Sequence, residues 1–307
     1  METKQHMGAE EWGLLLALAA LWGSSFFFYK VLVESLPPFT VVFARVALAA
    51  IFLNLLLCVQ RRPMTLALPW RDFFVMGLLN SAVPFSLLVW GETFISSGLA
   101  SILNATTPVF TVVVAHFFTS NEKLSIHRGL GVVLGVLGVA VLMGHTAFAD
   151  LGSGSLLGEI LCLLAALSYG LSSVYGRRFR GMPSIKVATG QLSAATLIIL
   201  PAAATERFWA LPMPSVHIWA ALAGISLLCT VAAYILFFQI LARAGATNVG
   251  LVTLLLPIVA LFLGHFVLSE QIYTTSLLGM ALISASLAVI DGRPYRWAYS
   301  KIFSPHP

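Results

Sequence analysis

Charge is what this chain has least of. Asp, Glu, Lys and Arg together make up 9% of its 307 residues, against 59% hydrophobic, where a water-soluble domain carries roughly 25% charged residues. Mean hydropathy is +0.94. So much apolar surface cannot be hidden inside one soluble globule, so lipid is the expected solvent. Cysteine is scarce as well. Cys58, Cys162 and Cys229 all fall inside apolar runs, and their odd number and placement argue against disulfides or a metal cluster. The chain has no G-x-x-x-x-G-K-[ST] phosphate loop, no H-E-x-x-H, no Cys-pair metal spacing and no G-x-S-x-G elbow, so none of these catalytic or metal-binding motifs is offered. A protein that is not an enzyme, with no cofactor and no metal, is expected. The net charge of +5 does not point to nucleic acid, because the basic residues are scattered through short loops between apolar runs.

What is present is a doubled pattern. Residues 99–144 contain an apolar run, a polar break at 119–128, and a second run built on Gly129, Gly131, Gly135 and Gly138. The pattern returns between Ala246 and Gly292. Pro108 is matched by Pro257, His116 by His265, and Glu122 by Glu270 with a one-residue slip, giving an internal period of about 149 residues, half the chain. The Gly-rich stretch 145–154 separates the halves, 1–148 and 149–307.

Each half holds five runs long enough to cross a bilayer, which takes about 20 mostly apolar residues. The expected helices cover 12–33, 39–59, 70–90, 98–118, 125–144, 155–176, 184–204, 216–241, 247–268 and 274–290. Lys and Arg gather in short cytoplasmic loops. With the N-terminus inside, every Lys and Arg except Lys30, Arg207 and the intramembrane Arg45 falls on the inner side. Five helices per half is an odd number, so the second half enters the membrane upside down and the Glu122 and Glu270 loops lie on opposite faces. The expectation is an all-α membrane protein of ten transmembrane helices in two inverted five-helix repeats, both termini cytoplasmic. Inverted repeats are the mark of many secondary transporters.

Few polar side chains interrupt the spans. Arg45 is the main ionisable group within one; such a charge faces the interior or water, and it either holds a substrate carboxylate or pore aromatic or snorkels to the headgroups. Lys30, closer to an edge, is expected to snorkel. Glu92 and Glu159 are placed at the outer rim, with no carboxylate at the midplane, which weakens a simple carboxylate relay. Asn104, Thr107, Pro108 and Thr111 fall at i, i+3, i+4 and i+7 and form one polar stripe, whose amide needs partners in hydrocarbon. Asn80, Trp90, Tyr234 and Gln239 add polar or aromatic groups, and Trp22 and Tyr169 take similar places in the first and sixth helices. Trp90 also suits an interfacial belt. His116 and His265 either hydrogen-bond across helices or form a proton-linked gate. Gly131-x-x-x-Gly135, in a run with almost no polar side chain, suits close helix packing.

The opening LWGSSFFFYKVL, Pro37–Pro38 with Arg45, the Pro and His-Phe spacing ahead of E-K-L-S, and the G-x-x-x-G-x-x-G-V run resemble the EamA-like drug/metabolite transporters over nearly the whole chain. The resemblance implies a central cavity lined mainly by helices 1–4 and 6–9, with helices 5 and 10 packed away from it. It implies export of small metabolites, amino acids prominent among them, and includes aromatic amino acid exporters. Glu122 and Glu270 match the family's loop Glu; His116 and His265 stand where smaller residues are expected. The expected protein is therefore an inner (plasma) membrane exporter of amino acids or related metabolites. Its partners are small-molecule substrate and lipid. Substrate-binding candidates are Trp22, Arg45, Asn80, Trp90, Asn104, Thr107, Tyr169, Tyr234 and Gln239. Sugar, nucleotide-sugar or drug carriage on the same fold are the rivals, with a membrane-embedded enzyme as the alternative outside transport.

Overall fold

A computed structural model describes residues 8–65, 67–119, 125–149 and 155–291. Among them there is no strand, and nine helices are long and apolar enough to cross a membrane. These are α1 (Ala9–Val33), α2 (Pro38–Val59), α3 (Trp70–Gly91), α4 (Ser97–Phe118), α5 (Ile126–Ala149), α6 (Ser155–Phe179), α7 (Ser184–Thr205), α8 (Val216–Ala244) and α10 (Thr274–Asp291). A shorter apolar helix, α9 (Val252–Leu268), lies between the last two. The expected Glu122 loop lies outside the described residues.

The helix ends follow local chemistry. Pro37 and Pro38 start α2, where the missing amide hydrogen costs nothing. The Ser96 hydroxyl accepts the Leu99 amide at the head of α4. Gly245 at φ 82 ends α8 and Ser269 at φ 58 ends α9. Hydroxyls within the spans turn back on their own helices: Ser86, Thr189 and Thr196 each donate to a carbonyl four residues earlier, which satisfies them where water is absent.

Four helices depart from regular winding. α4 breaks at Ala105–Thr106, and its second part, Thr107–Phe118, restarts with Pro108 in the first turn. In α9 the corresponding proline, Pro257, sits inside the helix, and the chain turns earlier, between the single turn Ala246–Val249 and Val252. α3 and α8 each contain a π-helical stretch, Leu78–Ala82 and Gly224–Ala232. Such widened turns expose an extra backbone position and recur at functional sites.

Helices of the first half pack on helices of the second. α1 lies on α9, α4 on α6, α2 on α7, and α3 on both α6 and α7. At the α3–α6 crossing, a Cβ added to Gly91 would meet the Gly158 carbonyl at 3.0 Å, and one added to Gly158 would meet the Gly91 carbonyl at 2.9 Å. α5 and α10 pair with each other. Gly131, Gly135 and Gly138 face Ser286 and Ile283, and the Ser286 hydroxyl donates to the Gly131 carbonyl at 2.6 Å. The close-packing role expected of Gly131-x-x-x-Gly135 is what the backbone shows.

Two bundle ends differ in chemistry. One carries Asp72 against Tyr175 and Arg178, and Glu10 against Arg243, with Arg61 and Arg62 in a loop and Arg71 and Arg177 at helix ends; we call it the basic end. At the other, carboxylates cap helix heads. Glu206 accepts the Phe39 and Thr40 amides and the Thr40 hydroxyl at the start of α2. Glu270 accepts the Ser97 amide at 2.9 Å, the Ser97 hydroxyl at 2.8 Å and the Gly98 amide at 3.3 Å at the start of α4. An anion there meets both unpaired amides and the positive end of the helix dipole. Each cap joins a loop of the second half to a helix of the first.

Candidate functional site

Two polar layers lie between the halves. The first surrounds Arg45, which α2 buries (4% exposed). Its Nε donates to Thr230 Oγ1 at 3.0 Å and its Nη1 to the Tyr29 hydroxyl. The guanidinium lies over the Phe85 ring, 3.9 Å from the centroid, and 5.1 Å from the Tyr29 centroid. Aromatic faces stabilise a desolvated cation by about 2 kcal/mol each. Among the described residues no carboxylate pairs with it. A full positive charge is thus held off the bulk solvent by neutral partners alone, an arrangement poised for a negative group. Thr230 reaches Arg45 because the π-helical stretch of α8 carries it; its hydroxyl also donates to the Ile225 carbonyl five residues back.

The second layer is a hydrogen-bonded knot of α3, α6, α7 and α8. Asn80 Nδ2 donates to the Tyr234 hydroxyl at 3.1 Å and to Gln191 Oε1 at 3.3 Å. Gln191 Nε2 donates to the same hydroxyl at 2.8 Å, and Ser172 donates to Asn80 Oδ1 at 2.9 Å. Asn80 sits in the π-helical stretch of α3, so both layers are built on the two widened turns. Trp22 stands edge-on to Tyr234 at 6.4 Å, and Phe238 stacks on it at 5.9 Å. Between and beside the layers lie three buried hydroxyls: Ser25 beside Cys229, Ser81 beside Tyr234, and Ser226, which has no hydrogen-bond partner among the described residues. Buried polar atoms are nearly always satisfied, so these groups supply donors and acceptors that a solute or water would fill.

The structure brings Trp22, Asn80 and Tyr234 together, with Arg45 in the adjoining layer. Tyr169 packs half-buried against the same core. Four candidates stand apart. Gln239 is exposed, five residues and about 140° around the helix from Tyr234. Trp90 is exposed at the capped end, edge-on to Phe39. The expected stripe on α4 does not persist, because the turn at Ala105–Thr106 breaks it: Thr107 donates to the Asn104 carbonyl and Thr111 to the Thr107 carbonyl. Asn104 itself keeps a buried, unpartnered Oδ1. Of the two gating candidates, His265 is exposed, its Nδ1 3.0 Å from the Glu270 carbonyl, and His116 packs edge-on to Phe117.

Three further placements differ from expectation. Lys30 does not reach out to headgroups; its ammonium donates to the Glu92 and Ile95 carbonyls at 2.8 and 3.0 Å. Glu92 and Glu159 are not at an exposed rim but fully buried, at the Gly91–Gly158 crossing. Gln191, Ser172, Thr230 and Tyr29 escaped the sequence reading. Only Gln191 carried a signal, as the one amide inside the apolar run of α7.

Comparison with known proteins agrees with this architecture. The family described as EamA-like transporter matches residues 11–144 and again 156–290. Among relatives, the uncharacterized transporter YoaV of Bacillus subtilis is 27% identical over 89% of this chain and 94% of its own length. The uncharacterized inner membrane transporter YedA of Escherichia coli K12 is 27% identical over 95% and 94%, and protein PagO of Salmonella typhimurium is 26% identical over 86% and 87%. A solved crystal structure titled only as that of a protein shares the fold, with a TM-score of 0.65 at 16% identity, over 97% of this chain and all of the other.

Proposed function

The chain belongs to the EamA-like transporter family, and from that premise we propose that it is a secondary transporter of the inner membrane that exports amino acids, aromatic ones among them, or related small metabolites by alternating access. Membership of a transporter family and its multiple apolar helices make it a multi-pass membrane protein; an inner membrane setting is supported by the description of YedA. In the proposed topology α1–α10 all span, the basic end faces the cytoplasm, and the two halves are inverted copies. The doubled family match supports the last point. So does the packing: exchanging α1 with α6, α2 with α7, α3 with α8 and α4 with α9 turns the α1–α9 contact into α6–α4 and leaves α2–α7 unchanged.

The observation that carries the substrate reading is Arg45. A buried guanidinium without a carboxylate partner suits the carboxylate of a solute. The Asn80–Tyr234–Gln191–Ser172 knot supplies amide and hydroxyl groups within the same core, and Trp22, Phe85 and Phe238 supply aromatic walls. Few convergent polar groups among apolar ones fit an amphipathic solute better than a sugar, which demands many hydrogen bonds. Capping contacts closing the outer end fit a form open, when it opens, toward the cytoplasm. Purified protein in liposomes, assayed for uptake and efflux of tritiated amino acids including phenylalanine, tests the reading. Flux of at least one amino acid, lost in Arg45→Gln with the protein still folded, is expected. Flux for a sugar and none for any amino acid rejects it.

A further inference from the structure

The most unusual buried group outside the two layers is Glu92. It caps the end of α3, is 0% exposed, and neither carboxyl oxygen has a hydrogen-bond partner among the described residues. An ionised carboxylate buried and unsolvated is costly by several kcal/mol, so a carboxyl in this position keeps its proton. The groups that face it are few. From α1 come Lys30, engaged with the Glu92 and Ile95 carbonyls rather than the carboxylate, and Tyr29 beyond it. From α6 come Cys162 and Glu159, and from the loop after α9 comes Glu270. Burial pushes the Glu92 carboxyl well above the usual carboxylate range; Lys30 draws it down and Glu270 pushes it up.

The surroundings tie this carboxyl to the cap that bridges the halves. Glu92 begins the segment 92–96, which Lys30 holds at its carbonyls and which leads directly into Ser97, the residue Glu270 grips. We propose that Glu92 is a proton-binding site of the outer face, protonated while the Ser97–Glu270 cap is closed and deprotonated when that cap opens. On opening, the carboxyl O–H bond breaks and its proton passes to external water. The carboxylate left behind is neutralised by Lys30, whose ammonium leaves the two carbonyls for it. Re-protonation returns Lys30 to the carbonyls and restores the closed segment. The proton leaves to the outer water and returns from it, so none crosses the membrane; the site makes outer opening, and export with it, depend on the external pH, acid outside holding the cap closed.

The control of export by external pH rests on the transport reading and topology proposed above; the proton site does not. Two measurements separate them. Full-length protein in lipid is treated at neutral pH with dicyclohexylcarbodiimide, which adds to protonated carboxyls in apolar surroundings, and the adduct is located by peptide mass spectrometry. An adduct on Glu92 that fades as pH is raised is expected, and absence of it overturns the proton site in the wild-type protein itself, whatever any variant does. In liposomes, downhill phenylalanine flux by the wild type is expected to slow as the pH bathing the capped face is lowered, and Glu92→Gln to keep a flux that does not respond to that pH. Wild-type flux indifferent to that pH overturns the control of export by external pH. No phenylalanine flux at all counts against the transport reading for that solute, while the carbodiimide result still decides the proton site.

Discussion

Removing the Glu270 carboxylate should open the capped end without unfolding the protein. Glu270→Ala deletes three contacts, to the Ser97 amide and hydroxyl and the Gly98 amide. Hydrogen bonds to a charged group contribute about 1.5–3 kcal/mol each when buried, but this site is half-buried and water replaces part of the loss. Substitutions of helix-capping side chains cost about 0.5–2 kcal/mol, so about 2 kcal/mol is a fair figure for the set. These contacts join loop and helix of opposite halves, so the loss falls on the closed arrangement. At 1.4 kcal/mol per decade, 2 kcal/mol raises the ratio of open to closed molecules about 30-fold. Glu206 still caps α2, which keeps the bundle assembled. Cys229 reports the change. It is buried beside Ser24, 3.4 Å from its hydroxyl, deep to the cap. In a Cys58→Ser, Cys162→Ala background, a membrane-impermeant maleimide added outside whole cells should alkylate Cys229 about 30-fold faster in Glu270→Ala, provided opening is fast relative to alkylation. An unchanged rate in folded protein would refute the assignment of this cap as a closure.

Four further outcomes are expected. Arg45→Lys should lose substrate flux nearly as fully as Arg45→Gln, because an ammonium cannot reproduce the planar fork that reaches Thr230 and stacks on Phe85; liposome flux with size-exclusion profiles checks it. Tyr234→Phe removes the hydroxyl shared by Asn80 and Gln191 and leaves the half-buried Asn80 and buried Gln191 amides short of a partner, so a loss of about 1–3 kcal/mol in denaturant or thermal stability follows. Gly131→Val places a Cβ 2.5 Å from the Ile290 Cγ1 and 3.0 Å from the Ser286 carbonyl; overpacking of this kind costs about 1–3 kcal/mol, seen as a lower melting temperature with substrate specificity unchanged. For Glu92 the folded protein binds its proton more tightly than the unfolded chain, so the stability it lends is full below the ordinary carboxylate range and is lost as pH rises toward the elevated folded-state value. Thermal stability should therefore fall over that interval in the wild type and stay flatter in Glu92→Gln.

Helices were legible because their signal is additive: each apolar run, from 12–33 to 274–290, is long, and the ends observed differ from those expected by only a few residues. Asn80, Tyr234 and Trp22 were legible as polar or aromatic groups within such runs. Their partners were not. Gln191 and Ser172 lie on other helices, and nothing periodic in a sequence says which amide meets which hydroxyl. The α4 stripe misled because i, i+3, i+4, i+7 spacing presumes an unbroken helix, while the turn before Pro108 resets the phase between Asn104 and Thr107. Lys30 and Glu92 misled for a different reason. Each stands near a span's edge, where charge ordinarily meets water, and only the close glycine crossing of α3 and α6 shows that this edge is sealed. The two π-helical stretches have no composition of their own and could not be read at all.

Those stretches have a lasting consequence for how the protein can vary. A widened turn holds one residue more than an ordinary helical turn, so excising one residue from 78–82 would restore ordinary winding to α3 and leave what lies beyond it on nearly the same bearing. Phe85 could stay over the guanidinium and Glu92 in its niche, while Asn80 would lose the widened turn that carries it to Tyr234 and Gln191. The surplus residue thus acts locally, remodelling one polar layer while both ends of the helix stay put. Diversification of cargo among such proteins should therefore include gain or loss of a residue at these two turns as well as exchange of side chains.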